Sequence, residues 1–376
     1  MACMMNPKRR DNLNRRQFLA GSGAALTAGL AGDAWCQAAT PAPRLRLICE
    51  TRLPHKLQYQ GSTVGGLSGI DYDPASGTYY LLSDDGGSIS PPRFYTARIE
   101  VSADKLSETE LTGVTFLQGL SAPDPEAIRW HAPSQSLLWT SEGNAVKFIA
   151  PTLHQTRTDG ALLRTYPLPA MFDFGALTGP RINKTLEGLA IAPDGQTAWV
   201  AMEAALRQDG EEPTVGSDGG PCRFTQIDIA SGKTKRQIAY VPDAIPNAPS
   251  PPNANADNGV VEVLMLDAHR MLVLERAYMS GLDDRQRNSM RLYAIDTRQA
   301  SDTLNIAALK PGNHTPAGKT LVSSFINFPA LIRLDNTEGM CWGPMLPNGH
   351  KTLLFVSDDN FSARQITQFL AFEFLE

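Results

Sequence analysis

The sequence of 376 residues lacks the features that mark several common classes of protein. It contains no apolar run of about 18 residues, which excludes a bundle of transmembrane helices. Basic residues are not in excess, at 34 against 39 acidic ones, so a protein that grips the phosphate backbone of nucleic acids is not expected. Its 31 Gly residues follow no period and 42% of residues are hydrophobic, which excludes a collagen-like or disordered chain. A soluble globular protein is therefore predicted.

The motifs of several enzyme classes are also missing. There is no Gly-x-Ser-x-Gly elbow, no phosphate loop, no His-Glu-x-x-His and no Gly-x-Gly-x-x-Gly. The six histidines are scattered, and the five cysteines show neither a Cys-x-x-Cys pair nor a zinc spacing. These absences disfavour catalysis by a side-chain nucleophile and a zinc centre.

The first 38 residues resemble a twin-arginine export signal. Arg15-Arg16-Gln17-Phe18-Leu19 is followed by a small, mildly apolar stretch, and cleavage is predicted after Ala38. Residues 1–38 carry five basic and two acidic side chains, so their removal changes the net charge from −5 to −8. We therefore expect an acidic mature domain, residues 39–376, in the bacterial periplasm or outside the cell, without a membrane anchor after the signal is removed.

Five segments of the mature chain repeat one pattern. In each, a Ser or Glu precedes an apolar run, a turn follows, and a second apolar run ends in an acidic residue. The turns contain sequences such as Pro193-Asp194-Gly195, so each segment is predicted to be a β-hairpin. The segments are 68–84, 126–142, 187–203, 262–275 and 338–358.

A second pair of strand-like runs follows each hairpin, except the last, which has one. Four strands per repeat are typical of a β-propeller blade. The run 44–50 has no other partner, so it is predicted to complete the last blade and close the ring. The sequence thus predicts an all-β propeller of five four-stranded blades, with a sixth blade in the longer later repeats as the alternative. Cys49 and Cys341 would lie roughly 14 Å apart in one blade, so free thiols are expected.

Charged residues recur at the same positions of the repeats. The opening column is Ser68, Glu126, Glu187, Glu262 and Glu338; the closing column is Asp84, Glu142, Glu203, Glu275 and Asp358. A basic residue is predicted at the start of each third strand: Arg93, Lys147, Arg223, Arg291 and Arg364. In an antiparallel blade these three positions share one end. The pattern therefore predicts carboxylates around the mouth of the channel and cations farther out, although salt bridges within single blades would also explain it.

Carboxylates that converge on one opening repel each other unless they are protonated, paired or bound to a metal. Calcium takes six to eight oxygen ligands at about 2.4 Å, which suits such a set. Ring closure also brings the Asp84-Asp85 segment beside Asp358-Asp359. We predict a calcium site formed by Glu126, Glu187, Glu262, Glu338, Asp84, Asp85, Asp358 and Asp359. The five basic residues are predicted to bind substrate.

Four sequence segments resemble the phytase-like propeller family known for the esterase-like activity of phytase. They are Gly66-Leu67-Ser68-Gly69, residues 80–85, Glu187-Gly188-Leu189-Ala190 and Thr337-Glu338-Gly339-Met340. The resemblance covers roughly residues 60–376. It implies a secreted propeller with a calcium-dependent, phosphoesterase-like site.

Metal-assisted attack of water on a phosphate ester uses the residues that are present, with calcium offsetting the negative charge of the protein. Two other functions stay open. A propeller that hydrolyses lactones or carboxyl esters would use similar carboxylates and an apolar pocket. A binding propeller without catalysis would use the rim as a platform, and the acidic residues would fasten strand ends.

Overall fold

The computed structural model describes residues 44–375, so the predicted export signal and its cleavage site lie outside the described part. Most strands fall into five antiparallel sheets of four. The first two sheets contain β4 (Leu67–Asp73), β5 (Thr78–Ser83), β6 (Arg93–Arg98) and β7 (Glu110–Phe116), then β8 (Pro125–His131), β9 (Ser136–Ser141), β10 (Thr152–Arg157) and β11 (Leu162–Tyr166).

The third and fourth sheets continue the same order along the chain. They contain β12 (Leu186–Ile191), β13 (Thr197–Met202), β14 (Cys222–Asp228) and β15 (Thr234–Tyr240), then β16 (Ala256–Met265), β17 (Arg270–Met279), β18 (Asn288–Asp296) and β19 (Lys319–Ser324). A small hairpin, β2 (Gln58–Tyr59) with β3 (Ser62–Thr63), precedes the first sheet. Four short 3-10 helices lie at Ala132–Ser134, Ala170–Phe172, Thr297–Gln299 and Phe325–Asn327.

The fifth sheet joins the two ends of the described chain. It contains β20 (Asn336–Met345), β21 (Lys351–Asp358), β22 (Gln368–Leu375) and β1 (Arg44–Arg52), and β1 pairs antiparallel with β22. The prediction that the N-terminal strand completes the last blade is confirmed. Cys49 in β1 and Cys341 in β20 lie at opposite edges of this sheet, and both thiols are free, as expected.

The five sheets are the blades of a propeller, numbered here 1 to 5 from β4 onwards. Their first strands, β4, β8, β12, β16 and β20, each contact the next, and β20 contacts β4. This closed ring confirms five four-stranded blades, and residues 44–375 contain no sixth. No helix within this range is long and apolar enough to cross a membrane.

Neighbouring first strands approach closely where a small residue follows the opening position. A Cβ on Gly69 would lie 2.8 Å from the carbonyl oxygen of Glu126, and one on Gly339 would lie 2.8 Å from that of Ser68. Because real Cβ atoms do not tolerate such contacts, packing between blades requires glycine at these two positions. The same approach brings the opening carboxylates of adjacent blades together.

A buried ion pair closes the channel below this level. Arg129 of β8 and Glu262 of β16 lie 2.7 Å apart, and both are almost fully buried. Arg129 donates to backbone carbonyls of three other blades, those of Ile70, Val263 and Met340, at 2.9 to 3.1 Å. Glu262 accepts from the N–H of Leu189 in the remaining blade at 2.8 Å. The pair therefore contacts the first strands of all five blades.

Candidate metal centre at the mouth of the channel

A cavity of about 610 Å³ opens at the end of the ring where the first strands begin. We call it the mouth cavity. Nine carboxylates line it against four cations, so its net charge is strongly negative. The carboxylates belong to Asp84, Asp124, Glu126, Glu187, Glu203, Asp257, Asp335, Glu338 and Asp358, and the cations to Lys184, Arg276, Arg287 and Arg364.

A one-residue bulge in each first strand positions the opening residues. In β12 the pairing skips from Leu186 to Gly188 and leaves Glu187 as the bulged residue, and in β20 it skips from Thr337 to Gly339 and leaves Glu338. The bulge of β8 contains Glu126, and that of β4 contains Ser68. The predicted opening column is thus built from equivalent positions in four blades.

The fourth blade departs from the predicted columns. Its pairing skips from Val260 to Glu262, so Val261 is the bulged residue, and Arg276 takes the position that Asp84, Glu142, Glu203 and Asp358 occupy elsewhere. The predicted alignment of this repeat is therefore wrong by one residue. Glu262 points into the channel to Arg129 instead of lining the mouth cavity, and Arg276 places a cation in the acidic ring.

Three buried glutamates meet at the side of blades 2 and 3. Glu126, Glu142 and Glu187 each offer a carboxylate oxygen, and these atoms all lie within 4.8 Å of one another. We call this set the acidic triad. Thr185 donates its N–H to Glu142 at 2.6 Å, whereas the carboxylates of Glu126 and Glu187 have no hydrogen-bond or ion-pair partner within residues 44–375.

The pKa values of the triad reflect this crowding. Burial, and after it the negative charges of Glu187 and Glu142, raise the pKa of Glu126 well above its ordinary value. Burial and the neighbouring Glu142 do the same to Glu187. Burial, together with Glu203, raises the pKa of Glu142 to about 8 despite the hydrogen bond from Thr185. The cluster thus disfavours three negative charges without a compensating cation.

Three other carboxylates of the cavity pair with protein cations. Lys184 contacts Glu203 at 2.8 Å and Asp257 at 3.1 Å. Arg276 lies 3.6 Å from Glu338 and 3.8 Å from Glu203. The acidic triad has no direct ion pair of this kind, although the charges of Lys184 and Arg276 oppose the rise in the pKa of Glu142 and of Glu187, respectively.

The other residues predicted as metal ligands differ in their surroundings. Asp84 lines the cavity without a hydrogen bond to its carboxylate from any described residue, and burial and Asp358 raise its pKa well above the ordinary value. Asp358 accepts from Asn336 and from the N–H of Asn360. Asp85 and Asp359 are each buried outside this cavity and bonded to backbone N–H groups.

The five predicted substrate-binding cations are not equivalent. Arg93 is wholly buried and bonded to Asp85 and Tyr95, and Arg223 is wholly buried with two bonds to Asp209. Arg291 lies within 3.4 Å of Asp243 and Glu275. Lys147 and Arg364 are exposed. The prediction that a basic residue begins each third strand holds for β6, which begins at Arg93, and is wrong for the other four blades. Of the five side chains, that of Arg364 lines the mouth cavity.

Comparison with known families identifies the family of the chain. The family model described as phytase-like, esterase-like activity of phytase, matches residues 62–361. The chain belongs to this family. The match contains the whole acidic triad as well as Asp84, Arg276 and Glu338 of this phytase-like propeller.

Solved structures resemble the phytase-like chain only distantly, and no curated protein matches it. The mannose phosphorylase MPT-4 from Leishmania mexicana, in complex with phosphate ion, is 10% identical with a TM-score of 0.43, covering 87% of this chain and 88% of that one. The hydrazine synthase of Kuenenia stuttgartiensis is 14% identical with a TM-score of 0.36, covering 80% of each chain. The Dos1 propeller is 5% identical with a TM-score of 0.34, covering 82% and 68%.

The acidic triad could hold a metal ion in this phytase-like protein. Two oxygens on opposite sides of one calcium ion lie about 4.8 Å apart, because each bond is about 2.4 Å long, and the triad oxygens are no farther apart than that. Its donors are hard oxygens, without a thiolate or imidazole among them, which is the ligand chemistry of calcium or magnesium. Such an ion would balance the charge of Glu126 and Glu187, neither of which has a direct ion pair within residues 44–375.

Sequence reasoning placed Glu142 in a column but missed it as a ligand, and it missed Lys184, Asp124 and Arg276. Lys184 and Asp124 lie in loops, where no repeat marks them. The spacing could have revealed Arg276. In the fourth repeat the predicted opening and closing residues lie 13 positions apart, against 16 in the first three, whereas Val261 and Arg276 lie 15 positions apart.

Proposed function

We propose that the protein is an exported, calcium-dependent hydrolase of phosphate monoesters. The observation that carries the proposal is the acidic triad, whose two unpaired carboxylates lie at an open cavity that is also lined by Lys184 and Arg276. Membership of the phytase-like family supports it, and the absence of a nucleophile motif from the sequence is consistent with attack by water. The twin-arginine pattern supports a location in the periplasm or outside the cell.

The acidic residues of the mouth cavity would bind the metal ion and water, and its basic residues would bind the phosphate. Glu126, Glu142 and Glu187 would hold the ion. Calcium, when bound, would supply positive charge to offset the phosphate and to polarise water. Asp124 lines the same cavity, and its carboxylate has no donor among the described residues, so it would accept the proton of the attacking water.

Arg276 and Lys184, which line the same cavity, would bind the phosphate oxygens. The Nη2 atom of Arg276 lies 3.6 Å from Glu338 and 3.8 Å from Glu203, beyond hydrogen-bond distance. A planar guanidinium can bind two oxygens of one phosphate at once, which a lysine ammonium does not match. Arg364, which is exposed at the rim of the same cavity, would attract the anion as it enters.

Calcium is expected to stabilise the mature protein and to switch on phosphate release from an aryl phosphate. Free calcium at about 100 times its dissociation constant would add about 2.7 kcal/mol to the free energy of unfolding. The measurement is thermal unfolding in calcium and in chelator, with phosphate release assayed in parallel. Hydrolysis of lactones without phosphate release would support the lactonase alternative, and indifference to chelator in both assays would support a binding module.

Arg276→Lys is expected to lower kcat/KM for a phosphate monoester about tenfold, mainly through KM, since the charge stays and the second contact is lost. Its unfolding midpoint should stay close to that of the wild type, because the lysine can still pair with Glu338. Steady-state kinetics would measure the effect. Arg298→Lys is the matched control, since Arg298 is exposed in the 3-10 helix Thr297–Gln299 that follows β18. An unchanged kcat/KM would remove Arg276 from the proposed site.

A further inference from the structure

A second, smaller cavity opens beside the mouth cavity. Its volume is about 370 Å³, and it shares Asp84, Asp124 and Asn360 with the mouth cavity. The loops that form it come from blades 5, 1 and 2. We call it the side pocket. A molecule whose phosphate lies at the triad could therefore extend into the side pocket without leaving the protein surface.

The outer wall of the side pocket is apolar and preformed. Ile89 and Phe361 line it, and Ile89 is half exposed. The ring of Phe361 lies against two glycines, since a Cβ on Gly65 or Gly66 would come within 2.8 Å of it. The N–H of Phe361 donates to the buried Asp359 at 3.1 Å. These contacts fix an aromatic wall before any ligand arrives.

Unusual backbone conformations cluster around the same pocket. Of the eight described residues other than glycine with positive φ, four lie in its loops: Ala122, Phe148, Asn360 and Phe361. Such conformations are unfavourable for residues with a side chain, and they concentrate at ligand sites. Phe148 is also largely exposed, next to Lys147 at the entrance. Backbone conformations that are unfavourable for these residues therefore place Phe148 and Phe361 beside the mouth cavity.

The charges of the side pocket disfavour a second anion. Asp84 and Asp124 line it without donors from the described residues, and Lys147 is the one cation among the described lining residues. Asp85 is already bonded to four successive backbone N–H groups and to Arg93, so it attracts nothing further. The rest of the lining is polar and includes Ser88, Asn144 and Asn360, so the group that suits this surface is neutral, with one flat apolar face for Ile89 and Phe361, rather than a second phosphate.

We propose that the side pocket binds the leaving group of the substrate, and that this group is an aromatic or similarly flat apolar alcohol. The inference rests on the proposed function, because it assumes that a phosphate ester binds at the acidic triad. A side pocket of this kind would favour aryl phosphate monoesters over polyphosphorylated polyols as substrates. In the reaction the bond from phosphorus to the ester oxygen breaks, a bond from phosphorus to the water oxygen forms, and the alcohol leaves with one proton of that water.

Two phosphonates that cannot be hydrolysed test the pocket by binding alone. In calcium, phenylphosphonate is expected to bind the wild-type protein about tenfold more tightly than methylphosphonate, as burial of one ring predicts. Ile89→Ala and Phe361→Ala should each reduce this preference several-fold and leave methylphosphonate binding unchanged. Leu163→Ala, an exposed apolar residue on β11, is the control and should keep the full preference. Isothermal titration calorimetry gives all of these dissociation constants.

The outcomes separate this inference from the function on which it rests. Equal affinities for the two phosphonates in the wild type, or a preference that survives both alanine variants, would overturn the side pocket as the leaving-group site while leaving the triad as a phosphate site. Failure of both phosphonates to bind would overturn the proposed function and the inference together. Because Phe361 packs on the glycine pair, Ile89→Ala provides the test if the Phe361 variant does not fold.

Discussion

Replacing Glu126 by Gln is expected to stabilise the calcium-free protein and to destroy its response to calcium. Carboxylates within 4.8 Å of each other repel by about 3 kcal/mol per pair at an effective dielectric constant of 20. Partial protonation already relieves some of this repulsion, so the expected gain in chelator is on the order of 1–3 kcal/mol. In calcium the same variant lacks one charged ligand, and the wild type should then be the more stable protein.

Chemical unfolding of both proteins, in chelator and in saturating calcium, measures this reversal of sign. Glu187→Gln should show the same reversal with a smaller gain in chelator, since Arg276 already offsets part of the negative charge around Glu187. The matched control is Glu100→Gln, since Glu100 is exposed just after β6 and is not part of the triad. This variant should change stability by less than about 0.5 kcal/mol in either condition. A Glu126 variant that is less stable in chelator and still stabilised by calcium would contradict a metal site at the triad.

Arg129→Met is expected to be the most destabilising single substitution, by about 3–5 kcal/mol. It would leave Glu262 charged or newly protonated in the closed channel, where burial already raises its pKa to about 7 against the opposing effect of Arg129. It would also remove donors from carbonyl groups of the neighbouring first strands. Since these strands form the ring, the loss affects all five blades at once.

Equilibrium unfolding in urea measures the loss. The double variant Arg129→Met with Glu262→Gln should recover part of it, because no uncompensated charge then stays in the channel. Arg298→Met breaks an exposed ion pair with Asp296 and should cost less than about 1 kcal/mol. If Arg129→Met costs no more than this control, the ion pair does not tie the blades together.

The agreement between sequence and structure is uneven, and the reason differs from one feature to the next. Hairpins such as Leu186–Ile191 with Thr197–Met202 follow from local signals, an apolar run on each side of a Pro-Asp-Gly turn. The closing strand could be predicted because the last repeat lacks a fourth strand and the N-terminal strand has no partner in the first repeat. The site was harder, because Glu262 and Glu187 look alike in sequence while a single bulged residue separates their environments.

The basic column shows the same limit from another side. Arg93 and Arg223 were predicted to lie at the rim because they recur at one position of the repeat. The structure instead buries them in ion pairs with Asp85 and Asp209. Asp209 lies in a loop between β13 and β14, so no repeat pairs it with Arg223. Which cations are free to meet a ligand is set by loops that have no period.

The sequence by itself determined the five repeats, their four strands, the closing strand and the presence of acidic residues at the start of the first strands. These features depend on hydrophobic alternation and turn residues, whose effects are local. The tertiary structure decided that Glu126, Glu142 and Glu187 meet, that Glu262 pairs with Arg129, and that Arg276 enters the ring. Those outcomes depend on where each bulge falls and on which blades touch, because a shift of one residue turns a side chain to the other face of a strand.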